Sequence, residues 1–374
     1  MSIKVKKVTS HKHLRTFIHL PRLIHRNHTN WVPPIYSEEW RYFDSKKNRA
    51  FSYSDTILLL AFREDKAVGR IMGIINHRYN NFRSEKNARF AYLECWDDQE
   101  VAHGLLDYVE KWAKEKAMEK IVGPMGFSDQ DSEGFLIDGF EHTPTLATYY
   151  NFEHIVRLLE YEGYKKEVDY VVYKLDVQKE IPEFYKKIYK RVLKKEEFGV
   201  VEFSKRKQLK PNILPVMNLM NECFRDIYGY FPLNEEEMVE LGKRYLPLLD
   251  PHFIKIVRRD KEVVGFIIGI PNLSEGIRRA HGRLFPFGIF KILQAARKTK
   301  QLDLMIGGIK EEYRGRGIDV LLGLKTIESA KKAGFEYMDS HHELETNLKV
   351  RAEMERLSGK VYKRYRIFQK NLVS

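Results

Sequence analysis

The chain has 374 residues, 43% hydrophobic and 31% charged, enough for two domains with separate cores and too apolar for a disordered or fibrous protein. A formal charge of +13 favours an anionic partner, yet no zinc-finger spacing, RNP-like strand or long Lys/Arg run points to nucleic acid. Two cysteines, Cys95 and Cys223, exclude a disulfide framework, and no stretch reaches the ~18–20 apolar residues that span a bilayer.

The N-terminal MSIKVKKVTSHKH has no apolar region behind its charges, which argues against a secretory signal. The expected setting is the cytoplasm, with peripheral contact on the inner membrane face. His11, His13, His19, His25 and His28 lack a metal-ligand spacing and are expected to decorate a helix and a loop. Arg63 to Ile74, REDKAVGRIMGI, reads as a β-hairpin with Asp-Lys at its tip and glycines at 69 and 73. ECWDDQEVAHGLL then leads into a helix through an acidic turn without a glycine pair. Asp129, Asp131 and Glu133 match a calcium loop too poorly for a metal and read as a polar pocket loop. Asn151 is followed by about three helical turns ending at Gly163, then by the strand DYVVYKL.

A boundary near Asp176 to Ile181 gives two expected domains, 1–177 and 178–374. The second starts with a basic helix and a strand at Val200 to Phe203. Helices at Pro211 to Gly229 and Glu235 to Leu249 follow, then a hairpin, RRDKEVVGFIIGI, with glycines at 265 and 269. After it come a strand (Leu302 to Ile309), a glycine loop with its helix, a strand (Glu336 to His341), and a helix from Asn347 to Gly359 that runs into RYRIFQK. The hairpin and the Asn-to-Gly helix each occur twice in the same order, which argues for duplication. Alternating short strands and helices predict an α/β (α+β) fold: in each half, a mixed, mostly antiparallel sheet with helices on both faces.

The glycine loop, EEYRGRGIDVLL, carries the strongest chemical signal. Consecutive amides in a tight turn, backed by a helix N-terminus, form a concave anion site, and glycines at 315 and 317 bring backbone close to a ligand. Such a loop suits a pyrophosphate. Asp319 sits where the anion would arrive; it fits there by turning back onto the helix amides or by pairing with Arg314 or Arg316.

With its flanking strand and helix, this loop resembles that of the GNAT superfamily of N-acyltransferases, Arg/Gln-x-x-Gly-x-Gly/Ala, Arg314 matching the first position and Gly317 the fourth. IVGPMGFSDQDSEGFLIDGFEHTP, YYNFEHIVRLLEYEGYKK, GRLFPFGIFK and the Glu345-x-Asn347 before YRIFQK further resemble bacterial tandem-GNAT proteins that include ceramide-synthase-like N-acyltransferases. The resemblance implies two tandem GNAT-like domains, 1–177 degenerate and shaping the acceptor pocket, 178–374 holding the donor. It implies acetyl-CoA or acyl-CoA as co-substrate, with no covalently bound cofactor, and an amine acceptor of small-molecule or lipid type. An acyl carrier protein could supply the thioester instead. The pyrophosphate would meet Arg314, Gly315, Arg316, Gly317, Ile318 and Asp319, and the pantetheine arm Gly307, Gly308 and Ile309. Two departures stand out: Asp319 replaces the family's Gly or Ala, and Met354 replaces a Tyr that many members use as general acid.

His341, Glu343, Glu345 and Asn347, with His342 beside them, lie where the family flanks the thioester and are the expected catalytic positions. An imidazole or carboxylate there would take the proton from the amine. If the strand continued, His341, Glu343 and Glu345 would share one face; the same residues also suit a solvated or capping role. Ser274 to Lys300 combines aromatic and aliphatic residues with seven positive charges against Glu275, the composition of an interfacial segment or acyl-chain gate, or of an insertion packed on its own domain. The rival readings are a Fem-type aminoacyl transferase using aminoacyl-tRNA and a non-catalytic GNAT-like binding protein.

Overall fold

The computed structural model describes residues 2–373. In chain order the elements are β1 (Ile3–Lys7), α1 (His11–Ile24), α2 (Tyr36–Tyr42), β2 (Ser54–Arg63), β3 (Lys66–Asn76), α3 (His77–Arg83), β4 (Asn87–Cys95), α4 (Gln99–Glu115), β5 (Lys120–Gly123), β6 (Phe135–Asp138), α5 (Glu153–Tyr161) and β7 (Lys165–Asp176). There follow α6 (Glu183–Lys194), β8 (Gly199–Glu202), α7 (Ile213–Cys223), α8 (Glu235–Tyr245), β9 (Ile254–Arg259), β10 (Glu262–Pro271), α9 (Ser274–Arg279) and α10 (Gly288–Lys298). The chain ends with β11 (Gln301–Ile309), α11 (Ile318–Lys332), β12 (Tyr337–Asp339), β13 (Glu343–Leu344), α12 (Leu348–Arg356) and β14 (Lys360–Asn371).

Two compact units form, and they interleave. Unit 1 runs to Val171 and takes in Leu273–Ala295 and the chain from Lys363; unit 2 holds Val172–Asn272 and Ala296–Tyr362. The sequence reading divides the chain once, at 177/178, whereas the compact units exchange segments at three further places. Strand order is β1-β2-β3-β4-β5-β14 in unit 1 and β7-β12-β11-β10-β9-β8 in unit 2. Neighbours within each order pair antiparallel except for β4/β5 and β11/β12, which are parallel. The last strand closes unit 1 by pairing Phe368 to Asn371 with Gly123 to Lys120.

Alternation along the strands puts a helix layer on each face. In unit 1, Ile71 and Ile75 of β3 join Val101, Leu105 and Val109 of α4, while Met72 and Ile74 join Phe17 and Ile18 of α1. In unit 2, Val257 and Val264 pack with Ile318, Leu321 and Leu322 of α11, and Ile256 and Phe266 with Val216, Leu219 and Met220 of α7. The repeated hairpin glycines make room for those helices. A Cβ on Gly69 would lie 2.6 Å from Val101 Cγ1, and one on Gly265 would lie 2.8 Å from Ile318 Cγ2.

Local expectations change in three places. The first hairpin turns at Glu64 and Asp65 rather than at Asp-Lys, because Lys66 already pairs with Arg63. Asn151 is no helix cap: Phe152 takes that position, and the Asn151 amide binds both backbone groups of Leu136. His25, expected on the surface, is buried and stacks on His28, Trp31 and Phe152, and its burial pushes the imidazole down to about 2.

Candidate active site

After β11 the chain makes a 3₁₀ turn over Glu311–Tyr313, and α11 starts at Ile318 after four intervening residues. Gly315 and Gly317 have φ of +76° and +88°, the left-handed region open to glycine. At Gly317 space imposes the same choice, since a Cβ would lie 2.6 Å from Val192 Cγ2 and 3.2 Å from Ile188 Cγ2 of α6. The Arg314 amide donates to Glu311 O at 3.1 Å and the Arg316 amide reaches Tyr313 O only at 3.4 Å. The amides of Gly315, Gly317 and Ile318 find no acceptor among the described residues. Three donors at the positive end of a 15-residue helix are what binding an anion requires.

The two arginines differ. Arg316 pairs with Glu197 at 3.2 Å and lies over the Tyr313 ring, which fixes the loop. Arg314 is exposed, donates from Nε to Ile309 O at 3.2 Å, and has no carboxylate partner among the described residues. Asp319 is half-buried and turns back onto its own amide and that of Val320. Burial, and secondarily the charge of Glu353, raises its pKa. Its amide contacts are with Asp319 and Val320 and not with the glycines.

Beside the loop the sheet opens. β11 pairs with β10 from Leu302 to Ile309, with Met305 as an extra residue between Leu304 and Ile306. It pairs with β12 only from Gln301 to Asp303. Beyond Asp303 the parallel strands diverge, so Leu304 to Ile309 present a free edge. Gly307 is exposed, and a Cβ on Gly308 would lie 3.0 Å from the Phe266 ring and 3.2 Å from Cys223 Sγ. Small residues keep that wall thin.

The opposite wall departs from the expected strand. β12 stops at Asp339 because the buried Asp339 carboxylate accepts the His341 amide at 2.7 Å and the Tyr362 hydroxyl. His341 then takes φ of +59°. The alternation that would align His341, Glu343 and Glu345 is broken there, and Glu343 starts the separate strand β13. Asn347 caps α12 by accepting the Val350 amide at 3.4 Å, and Glu345 O accepts from Arg351 at 2.9 Å. Glu343 is different: half-buried, with no bonding group among the described residues, its carboxyl is pushed up to about 8 by burial alone. Among the four proposed catalytic positions, only this one carries an uncommitted carboxyl in a dry setting.

Unit 1 contains the same opening with other contents. β4 leaves β5 after Arg89 and has its own extra residue near Tyr92, whose φ is +56°. Here α4 is capped by Asp98, which accepts the Val101 amide at 3.3 Å and pairs with Arg63 at 2.8 Å. No anion could reach those amides without displacing a carboxylate. Buried polar groups gather nearby: Arg70 donates to Glu94 at 3.2 Å and to Phe17 O at 2.7 Å, and Tyr42 donates to Asp131 at 3.0 Å. Glu39 has no bonding partner among the described residues, and burial lifts it to about 7. Sequence reasoning placed Asp131 in a polar pocket loop and missed the others, although Arg70 inside the apolar run of β3 and Glu94 inside that of β4 are buried charges that could have marked them.

No protein-family model matches the chain. It is 26% identical over 371 residues to protein YghO of Escherichia coli, covering 96% of this chain and 93% of that protein. It is 27% identical over 383 residues to the bacterial ceramide synthase of Caulobacter vibrioides, covering 99% and 98%. Among solved structures, a tandem GNAT protein from the clavulanic acid biosynthesis pathway superposes with a TM-score of 0.57 at 9% identity, covering 100% of this chain and 99% of that one. A GCN5-related N-acetyltransferase from Sphaerobacter thermophilus gives 0.55 at 12% identity, covering 100% and 96%.

Proposed function

From a tandem GNAT fold that extends along the whole chain, we infer that the protein transfers an acyl group from a coenzyme A or carrier thioester to an amine. The observation that carries this reading is the set of uncommitted amides at Gly315, Gly317 and Ile318, directly after the free edge of β11. The amides and Arg314 would hold the diphosphate. The edge from Leu304 to Ile309 offers peptide groups to the amides of the pantetheine arm, as a sheet edge accepts an added strand.

The chemistry follows from positioning plus one base. The neutral amine nitrogen attacks the thioester carbonyl, the carbon–sulfur bond breaks with its electron pair going to sulfur, and the thiolate leaves to take a proton from water. Peptide N–H groups on the free edge stabilise the developing oxyanion, and Glu343 takes the proton lost by the amine. A carboxyl titrating near 8 is well matched to that task at neutral pH. Similarity to a ceramide synthase favours a lipid amine. Incubating the protein with acyl-CoA and long-chain amines should release free thiol and form an amide product. Silence across a broad amine panel, with coenzyme A failing to bind, would remove this assignment.

A further inference from the structure

Thirteen large apolar side chains are exposed among the described residues, and five of them fall within nine positions: Phe285 (82%), Phe287 (68%), Phe290 (66%), Leu293 (48%) and Ile289 (40%). Exposed apolar residues are normally scattered singly, so this concentration calls for a partner. The segment is also held firmly. Gly282 O accepts the Tyr36 amide at 3.0 Å, and a Cβ on Gly282 would strike Pro34 O at 2.2 Å, so the turn that follows starts from a fixed base. On α10, Ile292 and Ala295 face inward against Gly276 of α9, where a Cβ would lie 2.5 Å from Ile292 Cα and 3.0 Å from Ala295 Cβ. Phe290 and Leu293 on the same helix therefore face outward.

Cations accompany this apolar surface. Arg283, Lys291, Arg297 and Lys298 are exposed and have no carboxylate partner among the described residues, whereas Arg278 and Arg279 share Glu275. We propose that the 283–298 segment docks on an anionic lipid surface, its phenylalanines entering the headgroup boundary and its cations meeting lipid phosphates. Charge complementarity selects this occupant. Unpaired cations beside protruding phenylalanines match a sheet of anionic headgroups over hydrocarbon, while a second copy of the segment would oppose like charges. The inference does not depend on the acyl-transfer reading.

The test is co-sedimentation of the full chain with phosphatidylcholine vesicles, with and without phosphatidylglycerol. The wild type should pellet strongly only with the anionic lipid and release in high salt. Replacing one cation, as in Lys291→Gln or Arg297→Gln, should weaken partitioning about five-fold each. The triple variant Phe285→Ser/Phe287→Ser/Phe290→Ser should lower it ~100-fold or more. These side chains are exposed, so the variant's melting temperature should match the wild type. A control pair, Lys12→Gln/Lys66→Gln, should change partitioning little.

Three results would overturn the proposal: undiminished vesicle binding by the triple variant, an equal loss in the control pair, or no vesicle binding at all. A wild-type dimer made monomeric by the triple variant, without vesicle binding, would assign the surface to a second copy. Salt-sensitive tRNA binding unaffected by the serines would assign the cations to nucleic acid.

Discussion

In unit 1, β4 parts from β5 after Arg89; in unit 2, β11 parts from β12 after Asp303, in each case after three paired residues. Each departing strand carries one extra residue, and each is followed by a helix laid over hairpin glycines. The backbone plan is repeated, and the difference lies in what fills it. Unit 1 caps its helix with Asp98 and lines its opening with buried charges; unit 2 leaves glycine amides uncovered and a strand edge bare. A duplicated frame can thus specialise through a few side chains at a helix start, because the amides there either accept an internal carboxylate or remain for a ligand.

The largest expected effect separates the two openings by chemistry. Glu343→Gln should lower turnover ~10²–10⁴-fold with the coenzyme A dissociation constant little changed, measured by thiol release and calorimetry. Because the base works only when deprotonated, the wild-type rate should rise with pH through about 8, and Glu343→Gln should flatten that rise. Next comes Gly317→Val, which adds a clash with Val192 to a left-handed backbone. It should abolish measurable coenzyme A binding and cost ~1–3 kcal/mol in denaturant unfolding.

Unit 1 should respond in stability instead. Burial raises Glu39 and Asp129 to about 7, so the folded chain holds protons that the unfolded chain has released above the ordinary carboxylate range. Their contribution is present in full below that range and is lost as pH rises from roughly 4.5 towards 7. Over that interval Glu39→Gln should gain melting temperature relative to the wild type. The smallest effects compare the caps: Asp98→Ala should cost ~1 kcal/mol of stability and leave donor binding alone. Asp319→Asn should tighten coenzyme A binding about two- to five-fold by removing a like charge beside the diphosphate. Equal responses of donor binding to the Asp98 and Asp319 changes would break the contrast.

Much of the frame was legible in the chain because it rests on local rules. The hairpins, the Gly163 helix stop and the glycine loop follow from turn geometry and apolar periodicity. The buried face of α11, with Val320, Leu321, Leu324 and Ile327, follows from helical spacing. What escaped depends on long-range contacts. The Asp339 carboxylate captures the His341 amide and turns the backbone, so strand alternation fails at the very residues it was meant to orient. Glu39, Arg70 and Glu94 come from three segments that only the fold brings together. The segment exchange was hidden because β7 and β14 each read as one continuous strand, and nothing local marks where a strand passes from one core to another.

That exchange bears on how the chain is made. β5 is complete once Gly123 has been synthesised, but its neighbour β14 is complete only about 250 residues later, at Asn371. At ~5–20 residues per second, the nascent first core waits roughly 10–50 s with a strand edge uncovered. During that interval it is open to pairing with other chains, until β14 emerges and covers the edge.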